Sequence, residues 1–225
     1  MTGVLWGRAD MLDTPAYWAL RCQVEENPLH GFTSASASLL EEIGFCLLGG
    51  FGITAELNAA AFERLRSNAV FDLSARISEA LVKSLLTEPL EVDGRRLRYR
   101  FPNQRARRLF AMRKKLARVD LESMPRPWVH SMLRDISGIG PKTAAWIMRN
   151  HFDSDDVAIL DVHVIRACAR LGVFPDKIVL PRDYEALEER FLKFAHALQV
   201  RPAVLDAIMW TDMRNERAPR RRLAA

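Results

Sequence analysis

The chain has 225 residues, 49% of them hydrophobic and 27% charged. That balance and length allow a buried core without disulfides or metal, and exclude a disordered, collagen-like or coiled-coil chain. A net charge of +5 hides a division: residues 1–93 carry 6 basic and 13 acidic side chains, a net of −7, and residues 94–225 carry 27 and 15, a net of +12. The basic rear suggests a polyanionic partner, most simply nucleic acid; an unevenly charged solvated surface is the alternative.

Helical patterns fill most of the chain. Thr14 is an N-cap followed by Pro15 at the first helical position, opening a helix to about Glu26. Leu39–Leu48 reads as a buried helix that follows Ser34, Ser36 and Ser38 and stops at Gly49-Gly50. Thr54–Leu65 and Ser74–Leu86 repeat apolar residues at the spacing of one helical face. Leu90 to Tyr99 places Asp93-Gly94 between two alternating arms, the signal of a two-residue β-hairpin. Further helices are predicted at Gln104–Ala117, Pro127–Ile136, Pro141–Asn150, Val162–Leu171, Pro181–Leu198 and Arg201–Met213. The fold expected is all-α, with about ten helices and one small hairpin.

Cys22, Cys46 and Cys168 are scattered and odd in number, so they outline neither a disulfide framework nor a C-x-x-C metal site. A reducing compartment suits them. Met1–Asp10 lacks the basic head and apolar run of a secretory signal, and no stretch approaches the ~20 apolar residues of a membrane span. A cytoplasmic protein without membrane contact is expected.

Between Gly94 and Arg118 there are eleven Lys/Arg and no acid. Charge of that density neutralises several phosphates and releases their counterions. Arg105, Arg107 and Arg108 are the candidate contacts. A solvated helix face is the plain alternative. Arg214 to Arg222 forms a second basic patch that would add electrostatic affinity.

The most specific segment is Leu133-Arg-Asp-Ile-Ser-Gly-Ile-Gly-Pro-Lys-Thr-Ala-Ala-Trp. It reads as helix, tight Gly138-Ile139-Gly140 hairpin, and a helix opened by Pro141. Glycines permit a sharp turn and a close approach to another chain. The N–H groups that open the second helix form an anion site. Such a hairpin grips a DNA phosphate without reading sequence. It is neither a Walker loop nor a dinucleotide fingerprint, since Thr143 stands where the third glycine belongs. Nineteen residues after Lys142 stands Asp161, within Ile159-Leu160-Asp161-Val162-His163-Val164-Ile165-Arg166. Asp161 there is a good N-cap, and taken singly Asp161 and Lys142 have ordinary structural readings.

Together, L-x-x-I-x-G-I-G-x-K-T-A and I-L-D-V-H-V-I-R resemble the helix-hairpin-helix DNA glycosylase superfamily. The resemblance implies a two-lobed fold, with residues 36–155 holding the hairpin and residues 1–35 plus 156–225 forming the second lobe. It implies that Lys142 is the nucleophile of a bifunctional glycosylase and Asp161 the catalytic carboxylate. A lysine amine attacks C1′ and expels the base, and a carboxylate stabilises the charge developing on the sugar. The Schiff base then permits β-elimination at the abasic site. Gly138, Ile139, Gly140, Thr143 and His163 fall at the family's DNA-contacting positions; for His163 a place in a helical core is the alternative.

With only Cys168 in the last 179 residues, the four-cysteine iron–sulfur cluster of some branches is absent. The chain is most similar to the compact 8-oxoguanine DNA glycosylase/AP lyase branch. Tyr99-Arg-Phe-Pro-Asn-Gln-Arg-Ala-Arg-Arg-Leu, Leu205-Asp-Ala-Ile-Met-Trp and Glu42-Ile-Gly-Phe-Cys-Leu-Leu carry that likeness. By it, Phe101 and Trp210 sandwich an extruded base and Asp206, one turn before Trp210, accepts from a purine N–H; core positions are the alternative for both aromatics. No cofactor is implied, with room for a monovalent cation at the hairpin. The implied partner is double-stranded DNA containing a damaged base, met by a monomer.

Two departures stand out. The family's turn after the early core helix carries a polar residue that enters the DNA stack, whereas here it reads Gly49-Gly50-Phe51-Gly52, which makes Phe51 a candidate apolar wedge. In short relatives the terminal carboxylate joins the pocket, but this chain continues fifteen residues past Trp210. Excision of an oxidised purine, 8-oxoguanine first, is the leading expectation. The alternatives are another modified base, for example in an anti-phage defence setting, and a non-catalytic DNA- or partner-binding module.

Overall fold

Thr14 accepts a hydrogen bond from the Tyr17 N–H, and Pro15 opens the first helix, α1 (Pro15–Val24). This computed structural model describes residues 4–25, 38–50, 52–120 and 123–216. Ten helices and one two-stranded antiparallel sheet are found among them. Ser38, of the three candidate serines, closes a capping box on α2 (Leu39–Leu48): its Oγ accepts from the Glu41 N–H and Glu41 Oε2 from the Ser38 N–H. Ser34 and Ser36 lie outside the described residues. Thr54 caps α3 (Ala55–Ser67) with one bond, its hydroxyl oxygen accepting from the Leu57 N–H.

The next helix, α4 (Glu79–Thr87), begins five residues later than the apolar spacing predicts. Ser74 turns back on Asp72, whose Oδ1 accepts from both its N–H and its hydroxyl at 2.8 and 2.7 Å. Arg113 holds the Val70, Asp72 and Ala75 carbonyls, so this run stays a loop. Ser78 becomes the cap instead.

Strands β1 (Leu90–Val92) and β2 (Arg95–Leu97) pair with Leu90 opposite Leu97 and Val92 opposite Arg95. Asp93 and Gly94 both take positive φ, 49° and 73°. That conformation suits a two-residue hairpin turn and explains Asp-Gly at this point.

The helices α5 (Pro102–Leu116), α6 (Arg126–Arg134), α7 (Pro141–Phe152), α8 (Val162–Arg170), α9 (Tyr184–Ala197) and α10 (Pro202–Glu216) follow. Proline takes the first position of α5, where the lost N–H has no intrahelical partner to miss. The start of α9 falls three residues after the expected Pro181, because Val179 to Asp183 forms a turn closed by Asp183.

The chain divides into two compact units: residues 35–147, and residues 1–34 with 148–225. The second boundary falls within α7, eight residues before the expected 155. In the first unit, α2, α3, α4 and α5 bury Ile43, Leu47, Leu65, Val82, Leu86 and Leu109. In the second, α1, α8, α9 and α10 gather around Trp18, Val164, Cys168, Phe191, Phe194 and Met209. No described helix is long and apolar enough to cross a membrane.

Candidate active site and nucleic-acid surface

In the unit of residues 35–147, α6 ends at Asp135 and the chain reverses over Ile136–Gly140. Short backbone bonds close the turn, Ile136 N–H to Leu133 C=O and Ile139 N–H to Ile136 C=O. Gly138 has φ of +100°, and a Cβ there would press on Arg108 Cδ at 2.7 Å. A Cβ at Gly140 would meet nothing within 4 Å, so that stretch of backbone is open to an approaching chain. The Ile139 side chain is buried. It ties the hairpin to the core and leaves only its backbone for a ligand.

Lys142 is the second residue of α7 and is exposed. The first-turn N–H groups of a helix lack intrahelical partners, so an anion is favoured beside it. The residue lines a cavity of about 420 Å³ together with Thr143 and Trp146 of the same helix, Arg105 and Arg108 of α5, and Gly49 and Gly50 beyond α2. Trp146 is not among the residues the motif reading singled out. Its signal was the four-residue step from Lys142, which puts both side chains on one helical face.

Only part of the basic run forms a surface. Arg105 is buried, and its Nη2 donates to the Gly49 carbonyl at 2.8 Å. The Tyr99 hydroxyl donates to the Leu48 carbonyl. These two side chains satisfy the end of α2, so Arg105 acts first as a cap rather than as a free phosphate contact. Arg113 is likewise buried among carbonyls, and burial pulls its guanidinium below its ordinary value. Arg107 is exposed and Arg108 half-buried. Both line a recess of about 360 Å³ with Ser137, beside the hairpin. Phe101 is half-buried at the N-cap of α5, with the Arg100 guanidinium 5.1 Å from its ring centre. Phe51 lies outside the described residues.

In the other unit, Asp161 caps α8. Its Oδ1 accepts from the His163 and Val164 N–H groups at 2.8 and 3.0 Å. Its Oδ2 accepts no hydrogen bond from any described residue. The side chain is therefore held by one oxygen and offers the other. His163 is half-buried, with its ring edge-on to Trp210 at 6.1 Å and Nδ1 buried without a hydrogen-bond partner among the described residues. Trp210 is half-buried too, and the Arg214 guanidinium lies over it at 4.8 Å.

Asp206 departs from the expected arrangement. Although it stands one turn before Trp210, it is buried: one oxygen pairs with Arg149 and the other accepts from the Ile159 N–H at 2.9 Å. Burial pushes its carboxyl up to about 7, against the pull of Arg149 and of the Ile159 N–H. Both oxygens are engaged by the fold, and the side chain is only 1% exposed. Among the described residues, no group of three His, Cys, Asp or Glu is placed to hold a metal ion.

The family model described as 8-oxoguanine DNA glycosylase matches residues 25–200. That span includes the hairpin, Lys142 and Asp161, and ends before Asp206 and Trp210. The chain is similar to the 8-oxoguanine DNA glycosylase/AP lyase of Thermotoga maritima, with 30% identity over 142 residues, 60% of this chain and 68% of that protein. The enzyme of the same name from Fusobacterium nucleatum is 24% identical over 123 residues, 49% of this chain and 56% of that one. The crystal structure of the Thermotoga maritima 8-oxoguanine DNA glycosylase matches with a TM-score of 0.54 at 26% identity, over 86% of this chain and 87% of that one. Methanocaldococcus jannaschii 8-oxoguanine glycosylase/lyase, solved with a 15-mer DNA containing 8-oxoguanine, shares the fold with a TM-score of 0.56 at 21% identity, over 88% and 90%. With a family match over most of its length and the hairpin-lysine-aspartate segments inside it, the chain belongs to the 8-oxoguanine DNA glycosylase family of helix-hairpin-helix enzymes.

Proposed function

We propose that this protein excises an oxidised purine, 8-oxoguanine first, from double-stranded DNA and then nicks the strand at the abasic site. One observation carries the reading: Lys142 stands exposed at the head of α7, directly after a hairpin with open backbone, in a cavity whose walls include arginine. The names of the relatives support the same activity.

The Lys142 amine in its neutral form attacks C1′ of the damaged nucleotide, and the base leaves with the electrons of the glycosidic bond and takes up a proton. The Asp161 carboxylate stabilises the positive charge that develops on the sugar. Ring opening leaves an imine on Nζ. Loss of a C2′ proton then breaks the C3′–O bond, so the downstream strand leaves with a 5′-phosphate end, and water hydrolyses the unsaturated imine left on Nζ to free the lysine. The hairpin backbone, Thr143, Arg107 and Arg108 hold phosphates, with His163 as a further phosphate support. Phe101 and Trp210 stack against the extruded base, and Trp146 adds an aromatic wall beside the lysine.

Borohydride trapping on 8-oxoguanine and abasic duplexes tests this. A covalent complex with the wild type and none with Lys142→Gln is expected; a complex with both overturns it. The engagement of Asp206 by Arg149 and Ile159, and the cation over Trp210, favour a second reading in which another modified base is removed. A panel of lesion duplexes separates the two.

A further inference from the structure

Residues 157–160 run buried between α7 and α8 and belong to no helix or strand. Buried backbone polar groups need partners. Here side chains supply most of them. Glu188 Oε1 accepts from the Ala158 N–H at 2.9 Å, and Asp206 Oδ2 from the Ile159 N–H at 2.9 Å. The Tyr184 hydroxyl donates to the Ala158 carbonyl at 2.7 Å and accepts from the Leu160 N–H at 3.2 Å. The segment itself adds the Leu160 N–H to the Ala158 carbonyl and the Asp161 N–H to the Ile159 carbonyl. The next residue is Asp161.

We propose that Tyr184, with Glu188 one turn later on α9, is a positioning residue for Asp161. A hydroxyl both donates and accepts, so one oxygen spans the two peptide groups that lead into the N-cap. The Tyr184 ring is packed in the core of its unit, which fixes where that oxygen stands. Burial, and the nearby Glu188, Asp206 and Asp161 carboxylates, raise the phenol above its ordinary value and keep it a donor to Ala158. Reacting groups must be held to within about 0.5 Å of productive geometry. A backbone with no ladder of its own reaches that tolerance only through such side chains.

The inference rests on Asp161 acting as proposed above. Tyr184→Phe keeps the ring and removes the clamp. Its single-turnover rate of excision from an 8-oxoguanine duplex is expected to fall on the order of tenfold or more. The Kd for the duplex stays within twofold and the protein remains folded at the assay temperature. A purely structural role would lower the melting temperature and leave the rate of the folded protein alone. A rate within twofold of wild type overturns the proposal. Should Tyr184→Phe not fold, the half-exposed Glu188 carries the test: Glu188→Gln keeps an acceptor for Ala158 and recovers most of the rate lost in Glu188→Ala, whereas equal rates in the two overturn it. Asp161→Asn separates the levels. Excision retained there removes the functional reading itself; excision lost there, with Tyr184→Phe at the wild-type rate, removes only the positioning role.

Discussion

Arg149 and Asp206 form an ion pair inside one helical unit, their side chains only 2% and 1% exposed. The pair joins the end of α7 to α10, and its second carboxylate oxygen holds the Ile159 backbone. Breaking such a pair from one side leaves an uncompensated buried charge. Asp206→Ala is expected to destabilise the protein by about 3–5 kcal/mol, measured by urea unfolding.

The same carboxyl predicts a pH dependence. Its folded value, pushed up to about 7 by burial, lies above an unfolded value of about 3.9. The native state therefore binds this proton more tightly than the unfolded chain. Its contribution to stability is full below about pH 4 and is lost as the pH rises through about 7. The wild-type stability minus that of Asp206→Asn should fall across this window in urea titrations. A flat difference would show that Arg149 keeps the group ionised throughout.

The arginines should separate by function. Arg113→Met strands the Val70, Asp72 and Ala75 carbonyls, at a cost of about 2–4 kcal/mol. Its slope of log binding against log salt on duplex DNA should not change. Arg107→Ala and Arg108→Ala should each reduce that slope by about one, with little effect on melting. Fluorescence anisotropy from low to moderate salt, beside thermal melts, checks both halves.

The thiols should be inert in the native protein. Burial pushes Cys22 up to about 12 and Cys46 and Cys168 well above the usual thiol range. Thiolate is the reactive form, so iodoacetamide at pH 8 should label none of the three within minutes and all three in denaturant. Mass spectrometry of native and unfolded samples reads the outcome.

Much of the fold was written locally. Thr14-Pro15, Asp93-Gly94 and the glycine hairpin before Pro141 are short-range devices, and each falls where its residues place it. The segments around Lys142 and Asp161 were legible for the same reason: hairpin, lysine and N-cap aspartate depend on neighbours in sequence. The starts of α4 and α9 were not, because Arg113 from α5 and Asp183 from the preceding turn hold the backbone there. Asp206 shows the limit most clearly. Helical spacing put it one turn from Trp210, but the partner that decides its role, Arg149, is 57 residues away. Arg105 likewise looked like one more phosphate contact until Gly49, 56 residues earlier, took its guanidinium. Sequence by itself determined most of the elements and the charge division, and marked Lys142 and Asp161 as candidates, since those follow from local pattern and residue type. Tertiary structure alone decided which polar groups remain free to act, because desolvation obliges each buried donor or acceptor to find a partner wherever the fold brings one.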